Sequence, residues 1–241
     1  MPSIAEIHYA KTGKVSDKWA SYLPFYDALF APLQNRPINL LEIGVQNGGS
    51  LETWATYFDQ AQHLVGCDIN PRCGLLRFDD PRIKLVVGNA NSRAAFDAIH
   101  AIAPHYDIII DDGSHMSPDV IESFLAYFTT LAPGGIYVVE DTHALYWPAY
   151  QGGIDAPEGA LMLFRLLTDL VNFEFWAPPG GLPARLAAFF PDGVLPRVLS
   201  EGWIDAIEFR NSLIVIRKSL KPGHNKLGNR VIMGSERLAA G

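Results

Sequence analysis

The chain has 241 residues, of which 49% are hydrophobic and 19% are charged, and 19 basic against 26 acidic residues leave a net charge of −7. This composition is typical of a globular protein and excludes a largely disordered chain. The acidic balance argues against a nucleic-acid partner, because phosphate binding needs a basic surface.

Nothing in the sequence resembles a membrane or export segment. No apolar run approaches the roughly 20 residues of a membrane helix, and the first 14 residues lack the apolar core of a secretory signal. Cys67 and Cys73 are too few for a disulfide framework or a zinc cage. We therefore expect a cytoplasmic protein with two reduced thiols and no membrane span.

In chain order, residues 1–37 are predicted to form an N-terminal helical cap, with a helix from about Trp19 to Phe30 that covers one edge of a sheet. Short apolar runs without alternation then indicate strands that are buried on both faces of a parallel sheet. These strands are predicted at 38–43, 63–67, 83–87, 106–110 and 136–139. The patterns between them predict helices that begin near Ser50, Ser92 and Ser117.

The helix after the fourth strand has the clearest start signal, with Ser117 as the expected N-cap before Pro118 and Asp119. Pro133–Gly135 are expected to end it. Further along, a helix is predicted over 160–176 with a break at 178–181, and the runs 204–209 and 213–216 predict a hairpin.

The fold class is therefore α/β: a Rossmann-like, doubly wound, mostly parallel sheet with a C-terminal antiparallel hairpin, over residues 38–218. Residues 219–241 are expected to form an exposed tail.

A glycine-rich loop over 44–50 joins the first strand to the first helix, where glycine lets the backbone approach a ligand. It lacks the Gly-Lys-Ser/Thr of a P-loop, and Gln46 replaces the second glycine of the dinucleotide pattern. Asp68 ends the second strand at the spacing of an acid that binds ribose hydroxyls, and Asn89 follows the third strand. These groups predict a nucleoside site.

Acidic residues follow two predicted strands that should be neighbours, about 4.8 Å apart. Asp112 follows the fourth strand, and Glu140 and Asp141 follow the fifth, so the three can converge. Because side chains alternate along extended chain, Asp111 and Asp112 should face different ways, one toward the cofactor and one toward the substrate. Converging carboxylates repel unless a cation bridges them, and oxygen ligands favour Mg²⁺, Mn²⁺ or Ca²⁺ over zinc. The sequence predicts a metal site here.

The segments Glu42–Gly44 with the following loop, Asp68, and Pro133–Gly135 resemble class I S-adenosylmethionine-dependent methyltransferases over about 38–141. The resemblance implies S-adenosylmethionine as cofactor, with its methionine and ribose parts near Glu42 and Gly44. The cofactor-binding residues expected on this basis are Glu42, Gly44, Gln46, Asn47, Gly48, Ser50, Asp68, Asn89 and Asp111.

The segments 111–115 and 140–147 are similar to those of macrolide sugar O-methyltransferases of the mycinamicin and macrocin type, and of the related rhamnosyl O-methyltransferase and cephalosporin hydroxylase group. This resemblance implies metal ligation by Asp112, Glu140 and Asp141, with Mg²⁺ as the first choice and Mn²⁺ or Ca²⁺ as alternatives. It also implies His115 as the general base. The residues expected near the acceptor are His143, Tyr146 and Trp147, of which His143 is a second candidate for the base.

The chemistry supports this assignment. A sugar hydroxyl is a poor nucleophile at neutral pH, a divalent metal stabilises its alkoxide, and an imidazole is suited to remove the proton. Lys18, Trp19 and Tyr22 are expected to close the pocket from the opposite side.

The function expected from sequence is methyl transfer to a sugar hydroxyl of a glycosylated natural product or a surface glycan. One alternative is a nicotinamide-dependent oxidoreductase or epimerase, which Gln46 disfavours. Another is a cofactor-binding module without catalysis, which has no need of the acidic residues and His115. Whether the chain forms a homo-oligomer is left open.

Overall fold

The computed structural model describes residues 2–175, 184–190, 192, 194–223 and 226–235. Within this part of the chain, one seven-stranded sheet has the order β3-β2-β1-β4-β5-β7-β6. Strands β1 to β5 are parallel, and β7 pairs antiparallel with both β5 and β6. The strands are β1 Asn39–Ile43, β2 His63–Asp68, β3 Ile83–Val87, β4 Tyr106–Asp111, β5 Leu131–Val139, β6 Ile204–Arg210 and β7 Leu213–Lys218.

This sheet confirms the predicted doubly wound fold and its closing hairpin. The helices are α1 Ile4–Tyr9, α2 Tyr22–Phe30, α3 Gly49–Tyr57, α4 Arg93–Ile102, α5 Ser117–Tyr127, α6 Ala160–Val171, α7 Ala184–Ala187 and α8 Arg197–Ser200. A short 3₁₀ helix over Thr142–Tyr146 follows β5. The described part of the chain contains no helix with both the length and the apolar character that crossing a bilayer requires.

Two apolar layers cover the sheet. Helices α4, α5 and α6 pack on one face. On the other face, α1 and α2 pack beside α3, and Phe30 belongs to the same buried cluster as Leu40 and Val138 of the central strands. The N-terminal helices therefore cover a face of the sheet, not an edge as predicted. The reason is that α3 alone leaves the apolar side chains of β4 and β5 on this face without a cover.

Two local predictions were wrong. Met116, not Ser117, is the N-cap of α5, and the hydroxyl of Ser117 accepts the N–H of Ala160 at 2.8 Å, which ties α5 to α6. The fifth strand begins at Leu131, which pairs with Tyr106, so Pro133–Gly135 form an irregularity inside β5 and do not end the preceding helix.

Toward the C-terminus, α6 ends at Val171, before the predicted end at 176. The predicted break at 178–181 lies outside the described residues, as does the tail from 236 onward. The tail residues that are described, 219–223 and 226–235, form no helix or strand.

Candidate active site

The carboxyl ends of β1 to β5 border a cleft of about 620 Å³, a size typical of small-molecule sites. In a doubly wound sheet, ligands bind at this edge because the chain reverses its strand order there. Six of the nine predicted cofactor residues line the cleft: Gly44, Gln46, Ser50, Asp68, Asn89 and Asp111.

The loop after β1 is held by Asp68. One of its carboxylate oxygens, Oδ2, accepts the backbone N–H groups of Val45 and Gln46, both at 2.8 Å, and Oδ1 accepts that of Asn70 at 2.8 Å. Gln46 adopts a positive φ of 49°, a conformation more usual for glycine. The acid predicted to bind ribose therefore also organises the loop beside it.

Gly44 is required where the loops after β1 and β4 meet. Its φ is +92°, and a Cβ atom at this position would lie 1.9 Å from the carbonyl oxygen of Asp112. Only glycine combines this conformation with so close an approach of two backbones.

The other three predicted cofactor residues lie outside the cleft lining. Glu42 is fully buried, where it accepts hydrogen bonds from Ser50 Oγ at 2.6 Å and Trp54 Nε1 at 3.3 Å. Burial raises the pKa of Glu42 above its ordinary value. The side chain of Asn47 is exposed, and Gly48 is the N-cap of α3. Glu42, Asn47 and Gly48 therefore flank the cleft-lining residues of the loop without lining the cleft themselves.

A cluster of acids and one histidine stands at the ends of β4 and β5. His115 Nε2 lies 4.0 Å from Asp112 Oδ1 and 3.9 Å from Asp141 Oδ2. His115 and Asp141 have positive φ angles of 58° and 51°. Such conformations cost about 1–3 kcal/mol each and cluster at functional sites. Asp111 lies beneath, 3% exposed, and burial raises its pKa to about 7.

The ammonium of Lys18 lies within this cluster. Lys18 Nζ is 2.5 Å from Asp112 Oδ2 and 2.8 and 2.9 Å from the two carboxylate oxygens of Glu140. Tyr26 donates a further hydrogen bond to Glu140 Oε1 at 2.8 Å. Burial lowers the pKa of Lys18, but the nearby carboxylates outweigh that effect and raise it well above its ordinary value. Burial and the charge of Asp112 raise the pKa of Glu140.

The donor atoms fit a hard divalent cation. One ligand atom each from Asp112, His115 and Asp141 lie within 4.8 Å of one another. Among the described residues, no hydrogen bond reaches Asp112 Oδ1 or Asp141 Oδ2. Trp19 Nε1 and the Tyr22 hydroxyl bind Asp141 Oδ1 at 3.0 and 2.8 Å. This leaves the other oxygen directed toward His115, and oxygen-rich sites of this kind suit Mg²⁺.

The predicted acceptor residues lie beside the cleft rather than in its lining. The ring of His143 is hydrogen-bonded to Ser212 Oγ and contacts Trp147 and Trp19 edge-on, with ring centroids 5.1 and 5.9 Å apart. Tyr146 and Trp147 are half-exposed. Because Trp19 also lines the cleft, the rings of His143 and Trp147 extend the wall of the cleft outward from Trp19.

Sequence reasoning expected Lys18, Trp19 and Tyr22 on this side of the pocket, and the structure brings all three to the cluster. Tyr26, which contacts Glu140, was not predicted from the sequence as a site residue. The signal was available, because Tyr22 and Tyr26 lie four residues apart and so share one face of a helix. The lining residues 15–17, which no local pattern marks, were not predicted either.

Comparisons with known proteins agree with the fold. Residues 41–142 match a protein family described as a methyltransferase domain. The 8-demethyl-8-alpha-L-rhamnosyl tetracenomycin-C 2'-O-methyltransferase of Streptomyces olivaceus is 34% identical over 221 residues, which are 87% of this chain and 53% of that protein. The mycinamicin VI 2''-O-methyltransferase of Micromonospora griseorubida is 35% identical over 158 residues, 63% of this chain and 39% of that protein.

Among solved structures, the MycE methyltransferase from the mycinamycin biosynthetic pathway, in complex with Mg, SAH and mycinamycin VI, matches with a TM-score of 0.71. It is 27% identical, and the match covers 90% of this chain and 54% of that chain. The chain spans about half the length, or less, of these relatives. The chain therefore has the class I methyltransferase fold and contains a methyltransferase domain over residues 41–142, and its sequence is similar to those of sugar O-methyltransferases of glycosylated natural products.

Proposed function

We propose that the chain transfers a methyl group from S-adenosylmethionine to a sugar hydroxyl of a glycosylated natural product or surface glycan, with the help of a divalent metal ion. The observation that carries this proposal is the convergence of two proposed metal ligands, Asp112 and Asp141, with the proposed base His115, all three of which line the cleft. Mg²⁺ is the proposed metal, with Mn²⁺ and Ca²⁺ as alternatives.

Asp112, Glu140 and Asp141 are the proposed metal ligands, in line with the resemblance of the segments 111–115 and 140–147. When bound, the metal would stabilise the negative charge that develops on the acceptor oxygen. His115 is the proposed general base, and its Nε2 would accept the proton of the acceptor hydroxyl.

The remaining residues have proposed roles in binding and alignment. We expect Asp68 to accept hydrogen bonds from the ribose hydroxyls, Asn89 to contact adenine, and Gly44, Gln46 and Ser50 to border the methionine part. All five of these residues line the cleft. The chain's contribution to rate is then mainly the in-line alignment of the methyl group with the acceptor oxygen, together with electrostatic stabilisation.

The acceptor would rest on the aromatic rings beside the cleft. Trp19, which donates a hydrogen bond to Asp141, is exposed, as are Tyr146 and Trp147. Aromatic ring faces stack on sugars and other flat apolar surfaces. We expect a small-molecule or glycan acceptor and no nucleic-acid partner, in keeping with the net charge of −7. A cytoplasmic location is part of the proposal, and whether the chain forms a homo-oligomer is left open.

The test is methyl transfer from radiolabelled S-adenosylmethionine to a panel of deoxysugar glycosides, with and without EDTA. We expect transfer that EDTA abolishes and Mg²⁺ restores. Asp141→Asn should remove most of the activity, whereas the control Asp97→Asn should not, because Asp97 is exposed on α4 and forms an ion pair with Arg93 there. Full activity of exhaustively chelated protein would contradict the proposed metal requirement. Binding of NAD in place of S-adenosylmethionine would contradict the proposed cofactor.

A further inference from the structure

Residues 11–19, called here the N-terminal strap, cross the start of α3 without forming a helix or strand. Lys11 Nζ and Lys14 Nζ both bind the carboxylate of Glu52 at 2.7 Å. The strap backbone also lies against Gly49, where a Cβ atom would be 2.2 Å from the carbonyl oxygen of Val15. The first half of the strap is therefore fastened to α3, away from the acidic cluster.

The second half of the strap ends in the cluster. Lys18 is only 5% exposed, and its ammonium lies 3.9 Å from Glu42 Oε1 in addition to its contacts with Asp112 and Glu140. An unpaired charge is costly to bury, so these carboxylates and this ammonium each hold the other in place. Lys18 thus supplies positive charge where the proposed metal ligands converge.

Lys18 and a divalent cation would both use the lone pairs of the carboxylate oxygens of Asp112 and Glu140. Both oxygens of Glu140 accept hydrogen bonds from Lys18, and one oxygen of Asp112 does so as well. Glu140 Oε1 already accepts hydrogen bonds from Lys18 and Tyr26, so a metal on Glu140 would either share Oε2 with Lys18 or displace a hydrogen bond to it. The ammonium and the metal would then lie side by side on the same carboxylates, where their like charges repel.

We propose that Lys18 is a tethered counter-ion that competes with the divalent metal for Asp112 and Glu140, so that it sets the metal affinity of the site and withdraws when the metal binds. The inference rests on the proposed function only for the presence of a metal on these acids. Because Val15 and Trp19 line the cleft on either side of Lys18, withdrawal would also shift one wall of the cleft.

The first test compares Mn²⁺ binding, by calorimetry or electron paramagnetic resonance, in wild type, Lys18→Met and Lys11→Met. Methionine keeps an unbranched side chain only one atom shorter than that of lysine and removes the charge. Lys11 is a matched control, because it lies in the same strap and pairs with a carboxylate outside the cluster. We expect Lys18→Met to bind Mn²⁺ at least about tenfold more tightly, as removal of a competing charge requires, and Lys11→Met to bind it as wild type does.

Equal or weaker Mn²⁺ binding by Lys18→Met, in a protein whose wild type binds the ion, would overturn this inference and leave the proposed function standing. A residue that only stabilises the fold would weaken binding or leave it unchanged, not strengthen it. Failure of all three proteins to bind Mn²⁺ would overturn the metal part of the proposed function and the inference with it.

A second test needs no variant, which matters if Lys18→Met does not fold. Lysines of wild type are acetylated with and without saturating Mg²⁺, and the rate at each site is read by mass spectrometry. We expect Lys18 to be protected without metal and to become labelled several-fold faster with it, while the buried Lys218 stays protected. Persistent protection of Lys18 in metal-saturated protein would show that it does not withdraw.

Discussion

Asp111 places a carboxyl group at the end of β4 with the Tyr137 hydroxyl 3.3 Å from its Oδ2. Burial is the main reason that the pKa of Asp111 rises to about 7 from an ordinary value of 3.8. The folded protein therefore binds this proton more tightly than the unfolded chain does. Its contribution to stability is complete below about pH 4 and is lost as the pH rises through 7.

Asp111→Asn should remove this pH dependence, because asparagine keeps the shape of the side chain and does not titrate. Between pH 4 and 7, the free energy of unfolding of metal-free wild type should fall relative to that of the variant by an amount on the order of a few kcal/mol. Urea unfolding at several pH values measures the difference, in which other titrating groups cancel. Parallel curves for the two proteins would contradict the assignment.

His115→Asn tests the general base without disturbing the backbone, since asparagine tolerates the positive φ found at this position. Turnover should fall by about 10²–10⁴-fold, while S-adenosylhomocysteine and Mn²⁺ still bind. His143→Asn, next to the cluster but held by Ser212, is the control and should lose less. Near-normal turnover with chemistry rate-limiting would transfer the role to His143, and a loss of Mn²⁺ affinity would make His115 a metal ligand instead.

At the scale of elements, the meeting of the loops after β1 and β4 depends on the lack of a side chain at Gly44. Gly44→Ala should lower the free energy of unfolding by at least about 2 kcal/mol, because a positive φ and a backbone collision act together. Gly74→Ala is the control, since the nearest atom to its Cβ would be 3.6 Å away, an ordinary contact. Similar urea midpoints for both variants would contradict this account.

The elements differ in how far local sequence determines them. The strands and the hairpin were predicted because buried apolar runs and the turn at 210–212 are local signals. Helix α1 was missed, since six residues are too few for a helical period to show. Ser117 was misassigned because its partner, Ala160, lies 43 residues away. Lys18 reaches acids 94 and 122 residues distant, and no local pattern encodes such contacts.

At the scale of the whole molecule, the sheet carries two apolar layers that should unfold together. Phe30 on one face and Phe164 on the other are both fully buried. Substitution of either by alanine should lower the free energy of unfolding by about 3–5 kcal/mol, and unfolding should remain a single cooperative transition. Phe175→Ala is the control, because this ring is 58% exposed. If Phe30→Ala left the main urea transition unchanged, residues 1–37 would be a separable cap.

The three backbone N–H groups held by Asp68 have a consequence for recognition. The loop that we propose to meet the nucleoside is already ordered by the protein's own folding, so association does not have to remove its conformational entropy. We expect nucleoside binding close to rigid docking, with a heat-capacity change that reflects buried ligand surface and not loop folding. One carboxylate thus contributes both to the stability of the loop and to the free energy of nucleoside binding.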